Sequence, residues 1–507
     1  MTLSAGLQPL IKQLEDIKLV SSIESLLHWD QETHMPDSAI DHRALQQSFC
    51  AKYVHQQCVS DEFKQCLATF VDLDSGNLLV NNLCFEEQRL VQEVHKDWQQ
   101  WVALPTEFVA QFAQLTSKAT HVWQQARQES NYKLFQPYLD QIIEFNRQKA
   151  GYIAGDKPVY DVLLNEYEPG LTQQATQRLF DELKQACLPL LEAVKTTSLD
   201  FKSLKGPFAE QAQWDYTLEL LTLMGFDFTK GKQDKSTHPF TIDIHPNDVR
   251  VTTRIKSTDL FEAITSTVHE GGHALYEQGF LSQYYATPLA ESVSLGIHES
   301  QSRFWENHVC KTLAFWTGQW DKLIQKFPAA FSAVTPNDVY KQLNQVNPGP
   351  IRVEADELTY IFHVMIRFEC EQALFNQTIS TDQLPEFWNS LYQKYLGITP
   401  KNDTCGVLQD IHWAGGSFGY FPTYVIGSVC AAQLHATIKT EFPSFDEMVF
   451  KGEWLDIKQW LGQEIHQQGR CYMPDDLIKK VTGKPITTAF FIDYLYDKYQ
   501  SLYGIKL

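Results

Sequence analysis

The stretch Thr267-Val-His-Glu-Gly-Gly-His-Ala-Leu-Tyr276 decides how the rest of the chain is read. His269 and His273 are four residues apart, so on a helix their side chains lie one turn apart on the same face. Both imidazoles then reach one metal ion, and Glu270 stands beside them where a general base belongs. The neighbouring residues predict that helix. Asp259 and Glu262 have capping-box spacing, Leu260, Ile264, Val268 and Leu275 keep a helical period, and Gly279 supplies a stop. Gly271 and Gly272 run against the pattern, since each glycine costs roughly 1 kcal/mol relative to alanine inside a helix. Two in succession predict close approach by another backbone or by a substrate.

Outward from this point the chain reads as mainly α. Leu7, Leu10, Ile11, Leu14 and Ile17 open a run of amphipathic helices that lasts to about residue 130, with a break at Pro36. His28 and His34 are six apart, share no helix face, and read as structural or surface residues. Helical patterning continues from Glu87 to Leu188, and the run Tyr160 to Gly170 ends in a Pro-Gly stop. The period changes just before the metal helix. Phe240 to His245 and Val249 to Ile255 alternate with period two around a Pro246-Asn-Asp turn, which predicts a hairpin at the rim of the metal cleft. Ala290 to Trp305 reads as helix, Leu358 to Phe375 as a long apolar helix, and Gly406 to Tyr424 as a loop entering a helix. Nothing marks a linker or a repeat, so residues 1-507 are read as one continuous fold.

The bulk numbers exclude several partners. The chain carries 42 basic against 62 acidic residues, a net charge of −20, which argues against nucleic acid and anionic membranes, both of which need a basic footprint. No apolar run reaches the ~18 residues of a membrane span, and the first residues have no secretory pattern. The ten cysteines form no Cys-x-x-Cys pair. Cys50, Cys58 and Cys66 recur every eight residues, across one broad side of a helix, and read as buried free thiols; a cytoplasmic location is expected.

A catalytic zinc takes three protein ligands and keeps one open position. Two are His269 and His273. Glu277 lies one turn further along the same straight helix and cannot surround the metal from there, so the residues alone leave Glu291, His298, Glu299 and Glu306 as candidates.

Five motifs narrow the choice. His269-Glu-Gly-Gly-His273, His298-Glu-Ser-Gln301, Asp248-Val-Arg-Val-Thr252, Ile351-Arg-Val-Glu-Ala-Asp356 and Gly406-Val-Leu-Gln-Asp-Ile-His-Trp413 resemble those of the M32 metallocarboxypeptidases, the thermostable carboxypeptidase Taq family. The likeness extends from Trp29 to Gly504 through Tyr167-Glu-Pro-Gly170, His238-Pro-Phe240 and Ile465-His-Gln-Gln-Gly-Arg470. It implies a helical gluzincin-type fold with a deep groove, and His269, His273 and Glu299 as ligands of one divalent metal: zinc, with cobalt or manganese as substitutes. It also implies Glu270 as general base, short peptides as substrates, broad specificity for the C-terminal residue, and a homodimer.

An enzyme acting at the C-terminus must hold a free carboxylate, which suits a guanidinium. The motifs supply Arg352 and Arg250; ion pairs with Asp356 and Asp248 are the structural alternative for each. The oxyanion of the tetrahedral intermediate needs a donor. The segment Gly419 to Tyr424 resembles the tyrosine-bearing segment of related helical gluzincins and gives Tyr420 first, then Tyr424, with His412 third; Asp410 and His412 could equally orient a ligand. Two other functions fit parts of the pattern: an oligoendopeptidase or peptidyl-dipeptidase on a similar fold, and a peptide-binding protein that keeps the metal without turnover.

Overall fold

The computed structural model describes residues 3–507, and helices make up its architecture apart from one three-stranded sheet. The first long helix, Gln8–Thr33, stops before Pro36, and Ile40–Cys58 returns along it. Cys50 and Cys58 lie on that second helix while Cys66 lies on the next, Asp61–Leu67, so the eight-residue repeat marks no single helix side. All ten cysteines are free thiols.

The predicted hairpin is present. Strands β2 (Thr241–His245) and β3 (Asp248–Thr253) pair antiparallel with Thr241 opposite Val251, and the register shifts between Asp243 and His245. A third strand, β1 (Gly231–Lys235), lies parallel to β3 with Gly231 opposite Val249. Its sequence Gly-Lys-Gln-Asp-Lys has no apolar alternation, and only Gln233 is buried, so periodicity could not reveal it.

Three apolar clusters form the interior. One draws residues from Leu115 to Tyr503, a second from Leu204 to Ile478, and a third ties the first helix to the Phe85–Ala103 helix. Leu171, Leu179 and Ile486 pack against both large clusters. Among the described residues no helix is long and apolar enough to cross a membrane.

The stretch Ala290 to Trp305 is less regular than its sequence suggests. A short 3-10 turn, Pro288–Ala290, leads to extended residues, and a helix runs only from Leu295 to Arg303. Ser294 starts it by accepting from the Ile297 amide at 3.1 Å. From Phe304 to Cys310 the same rod continues as a π-helix.

Candidate active site

The helix Leu260–Gly279 is fixed before any metal is considered. Asp259 caps it by accepting from the amides of Phe261 (2.9 Å) and Glu262 (3.2 Å). The capping box is one-sided, because the Glu262 carboxylate turns to Arg254 and Lys256. Leu260, Ile264, Val268 and Leu275 are all buried, each contributing roughly 1.5–3 kcal/mol.

The paired glycines let neighbours approach. A Cβ on Gly271 would stand 2.8 Å from Leu221 Cδ2 and 2.9 Å from Met224 Cε. A Cβ on Gly272 would stand 2.7 Å from both the Gln301 carbonyl oxygen and the Ser302 Cα. The approaching backbone is thus the Leu295–Arg303 helix, which carries Glu299. On its other side, a Cβ on Gly427 would come within 2.5 Å of Glu299 Cγ, so the Pro422–Glu441 helix clamps the same glutamate.

This packing brings three donors together. Glu299 Oε2 lies 3.6 Å from His269 Nε2 and 3.4 Å from His273 Nε2. Metal–ligand bonds of about 2.0–2.1 Å in a tetrahedron set donor atoms about 3.3 Å apart, so the three residues fit one divalent ion. Burial alone would raise the Glu299 carboxyl, but Arg303 and the two imidazoles outweigh it and hold it well below the usual carboxylate range. His273 is pushed down to about 3 by burial and by His298, leaving it neutral and ready to bind. His269 is moved the other way: burial opposes, yet Glu299 and Glu306 raise it.

The other candidate ligands have different places. Glu291 faces Arg470 at 3.3 Å. His298 stacks on His273 with ring centres 4.3 Å apart and binds Glu277 at 2.8 Å. Glu306 Oε2 accepts from His269 Nδ1 at 2.8 Å, the ring nitrogen turned away from Glu299. Glu270 is buried beside the cluster, with the Thr241 hydroxyl 2.7 Å from its Oε2. Burial raises its pKa, opposed by His269 and the Thr241 bond.

A second cluster surrounds Arg352. Its Nε donates to Asp410 Oδ1 (2.9 Å) and its Nη1 to the Tyr360 hydroxyl (2.9 Å). Arg367 grips the other oxygen of Asp410 at 2.7 and 2.9 Å. Arg352 therefore pairs with Asp410 rather than Asp356, which instead caps the Glu357–Phe375 helix. The Arg352 guanidinium lies 4.9 Å from the Tyr424 ring centre. His412, pushed down to about 4 by burial and by Arg352, has its Nε2 3.0 Å from the Tyr424 hydroxyl. Tyr420 packs between Tyr424 and Tyr167, at 5.4 and 5.1 Å between ring centres. Arg303 joins the two clusters: it donates to Glu299 Oε1 at 2.7 Å and lies 4.6 Å from the Tyr360 ring centre. Arg250 stands apart on β3, bidentate to Asp248 at 2.8 Å and 5.6 Å from the Trp29 ring.

Comparison with known proteins gives the family. The family model described as Carboxypeptidase Taq (M32) metallopeptidase matches residues 9–499. The chain belongs to the M32 family. It is 37% identical to Carboxypeptidase 1 of Bacillus subtilis over 492 residues, 97% of each chain. It is equally 37% identical to Thermostable carboxypeptidase 1 of Thermus thermophilus, covering 99% of this chain and all of that one. Among solved structures, the M32 carboxypeptidase from Deinococcus radiodurans superposes with a TM-score of 0.95 at 33% identity, over 99% of this chain and 100% of that one. Metallocarboxypeptidase 1 of Trypanosoma cruzi gives 0.92 at 30% identity, covering 98% and 99%.

In this M32 metallocarboxypeptidase several site residues escaped sequence reasoning. Thr241, Arg303, Tyr360 and Arg367 all touch a candidate functional residue. Two left a signal: Arg303 lies one helical turn after Glu299, and Thr241 lies on the hairpin assigned to the cleft rim. Tyr360 and Arg367 sit on an almost wholly buried helix and left none.

Proposed function

We propose that His269, His273 and Glu299 hold one zinc ion, with cobalt or manganese able to take its place, and that the chain removes single C-terminal residues from short peptides with broad side-chain tolerance. The observation that carries this reading is the convergence of both Nε2 atoms on Glu299 Oε2 at 3.6 and 3.4 Å, with Glu270 alongside. When bound, zinc supplies a Lewis acid that acidifies water and polarises a carbonyl.

The protein's own groups do the rest. Glu270, oriented by Thr241, takes the proton from the attacking water and hands it to the leaving amine. The Tyr420 hydroxyl donates to the oxyanion, a role typically worth 10²–10³ in rate. Arg352 holds the terminal carboxylate, with Tyr424, fixed by His412, beside it. Arg250, already bidentate to Asp248, acts at the rim by holding the hairpin that the peptide passes. Residues 1-507 act as one catalytic unit, in the cytoplasm and as a homodimer; ten unpaired thiols support a reducing compartment, and light scattering of the purified protein tests the dimer.

The test is to incubate the enzyme with an N-blocked peptide of about ten residues, with and without a chelator, and follow the masses. Stepwise loss of single C-terminal residues, abolished by chelation and restored by zinc, is expected. Internal cleavage or dipeptide release would instead place the chain with the oligoendopeptidases and peptidyl-dipeptidases.

A further inference from the structure

We infer that Glu306 is a positioning residue that fixes the His269 ring for metal binding, and that the neighbouring Lys311 moderates its pull. The inference rests on the reading of His269, His273 and Glu299 as the metal ligands.

The helix that carries Glu299 changes from α to π between Phe304 and Cys310, and the Lys311 amide reaches back to the Glu306 carbonyl at 2.9 Å. π-segments are rare and concentrate at functional sites, because each shifts the phase of the side chains that follow. Every residue from Phe304 to Cys310 is buried. A carboxylate in such a segment needs partners, and Glu306 has three. Its Oε2 accepts from His269 Nδ1 at 2.8 Å and from Arg303 Nη1 at 3.3 Å, and its Oε1 accepts from Lys311 Nζ at 2.6 Å.

These contacts fix a tautomer. An ionised carboxylate only accepts, so the His269 proton must sit on Nδ1 and the lone pair on Nε2. Nε2 is the atom 3.6 Å from Glu299 Oε2, on the side where the other donors converge. Two cations face the Glu306 carboxylate, Arg303 at 3.3 Å and Lys311 at 2.6 Å, so it stands in an ion pair. The charge of Glu306 in turn makes His269 a stronger donor, which is how outer carboxylates act on metal-bound histidines. His273 has no such anchor: its Nδ1 is buried with no partner among the described residues. The two histidines are therefore unequal, and the protein holds His269 through the π-segment. Lys311 competes with His269 for the same carboxylate, so its removal strengthens the Glu306–His269 bond.

The test measures zinc affinity of metal-free full-length protein by competition with a chromophoric chelator. Glu306→Gln keeps an acceptor but loses the charge, and its zinc dissociation constant should rise roughly 10–100-fold. Lys311→Met should bind zinc at least as tightly as the parent. A purely structural ion pair predicts instead that both variants weaken binding alike, and that result would overturn the inference. So would wild-type affinity in Glu306→Gln. His269→Ala is the control: if it retains full affinity, the metal-site reading itself fails, which is a different outcome. Should Glu306→Gln fold poorly, the Glu306→Gln/Lys311→Met double variant removes both charges together, and its affinity should still fall by the same factor; wild-type affinity there would count against the inference equally.

Discussion

Thr241 and Glu270 meet across the sheet–helix boundary: the Thr241 hydroxyl lies 2.7 Å from Glu270 Oε2 and 2.9 Å from the Glu270 carbonyl oxygen. The first residue of β2 thus touches both ends of the glutamate, and its single proton serves one acceptor at a time. The hairpin and the metal helix are registered at the atom that handles the proton. Thr241→Val keeps the shape and removes the bond. A hydrogen bond to a charged group is worth about 1.5–3 kcal/mol, so kcat should fall about tenfold to a hundredfold. KM and bound metal per chain should not change. A variant with normal kcat would show that Thr241 does not orient the base.

Two glycine substitutions should act in opposite directions. Gly151 lies in the helix Tyr132–Ala154, and an added methyl there would meet nothing within 4 Å, so Gly151→Ala should stabilise by roughly 0.5–1 kcal/mol. Gly272→Ala would drive its methyl to 2.7 Å from the backbone at Gln301 and Ser302. It should destabilise by about 1–3 kcal/mol and loosen metal binding, since it separates His273 from Glu299. Thermal melts of the metal-free variants, read beside chelator competition, check both.

Stability should depend on the buried carboxyl of Glu168. Burial raises it to about 7, only partly offset by the Ser294 hydroxyl and the Gly296 amide. Below the ordinary carboxylate range both folded and unfolded chains are protonated there. Between that range and about pH 7 the folded chain keeps a proton that the unfolded chain has released, so stability falls as pH rises. Above pH 7 the slope vanishes and the full penalty remains. Glu168→Gln should flatten this part of the melting-temperature profile between pH 5 and 8. An unchanged slope would mean that the carboxyl titrates normally.

Arg352 should separate binding from chemistry. Two of its nitrogens are committed to Asp410 and Tyr360, and Nη2 has no protein partner among the described residues. Arg352→Met should raise KM for peptides with a free C-terminus by tenfold or more. Peptides ending in an amide should be poor substrates for both proteins alike. An equal loss on both classes would point to a structural role with Asp410.

Much of this was legible because local chemistry and tertiary role coincide. His269, Glu270 and His273 declare themselves by spacing on a helix whose cap and apolar stripe are equally plain. The glycines announced a close approach, and the neighbour proved to be the Gln301 backbone. The hairpin was visible in its alternation. β1 was not, since its polar residues pair through the backbone alone and its position follows from β3. The residues after Arg303 hid their π-geometry because Phe304 to Cys310 is buried all round, which leaves no periodic face to read. Glu306 appeared in the sequence as one of several ligand candidates; its bond to the far nitrogen of His269 depends on that hidden change of phase. Arg352 likewise has an acidic residue four positions on, yet pairs with Asp410, 58 residues away, because Asp356 is spent on a helix cap.

The most direct test of the account is Glu270→Gln. Zinc per chain and the chelator-competition affinity should stay close to those of the parent, because Glu270 is not among the three converging donors. Release of C-terminal residues from the blocked peptide should collapse by at least about a thousandfold, a loss of about 4 kcal/mol of transition-state stabilisation. Turnover within tenfold of the parent, with metal bound, would contradict the assignment of Glu270 as the base and with it the mechanism built on this helix.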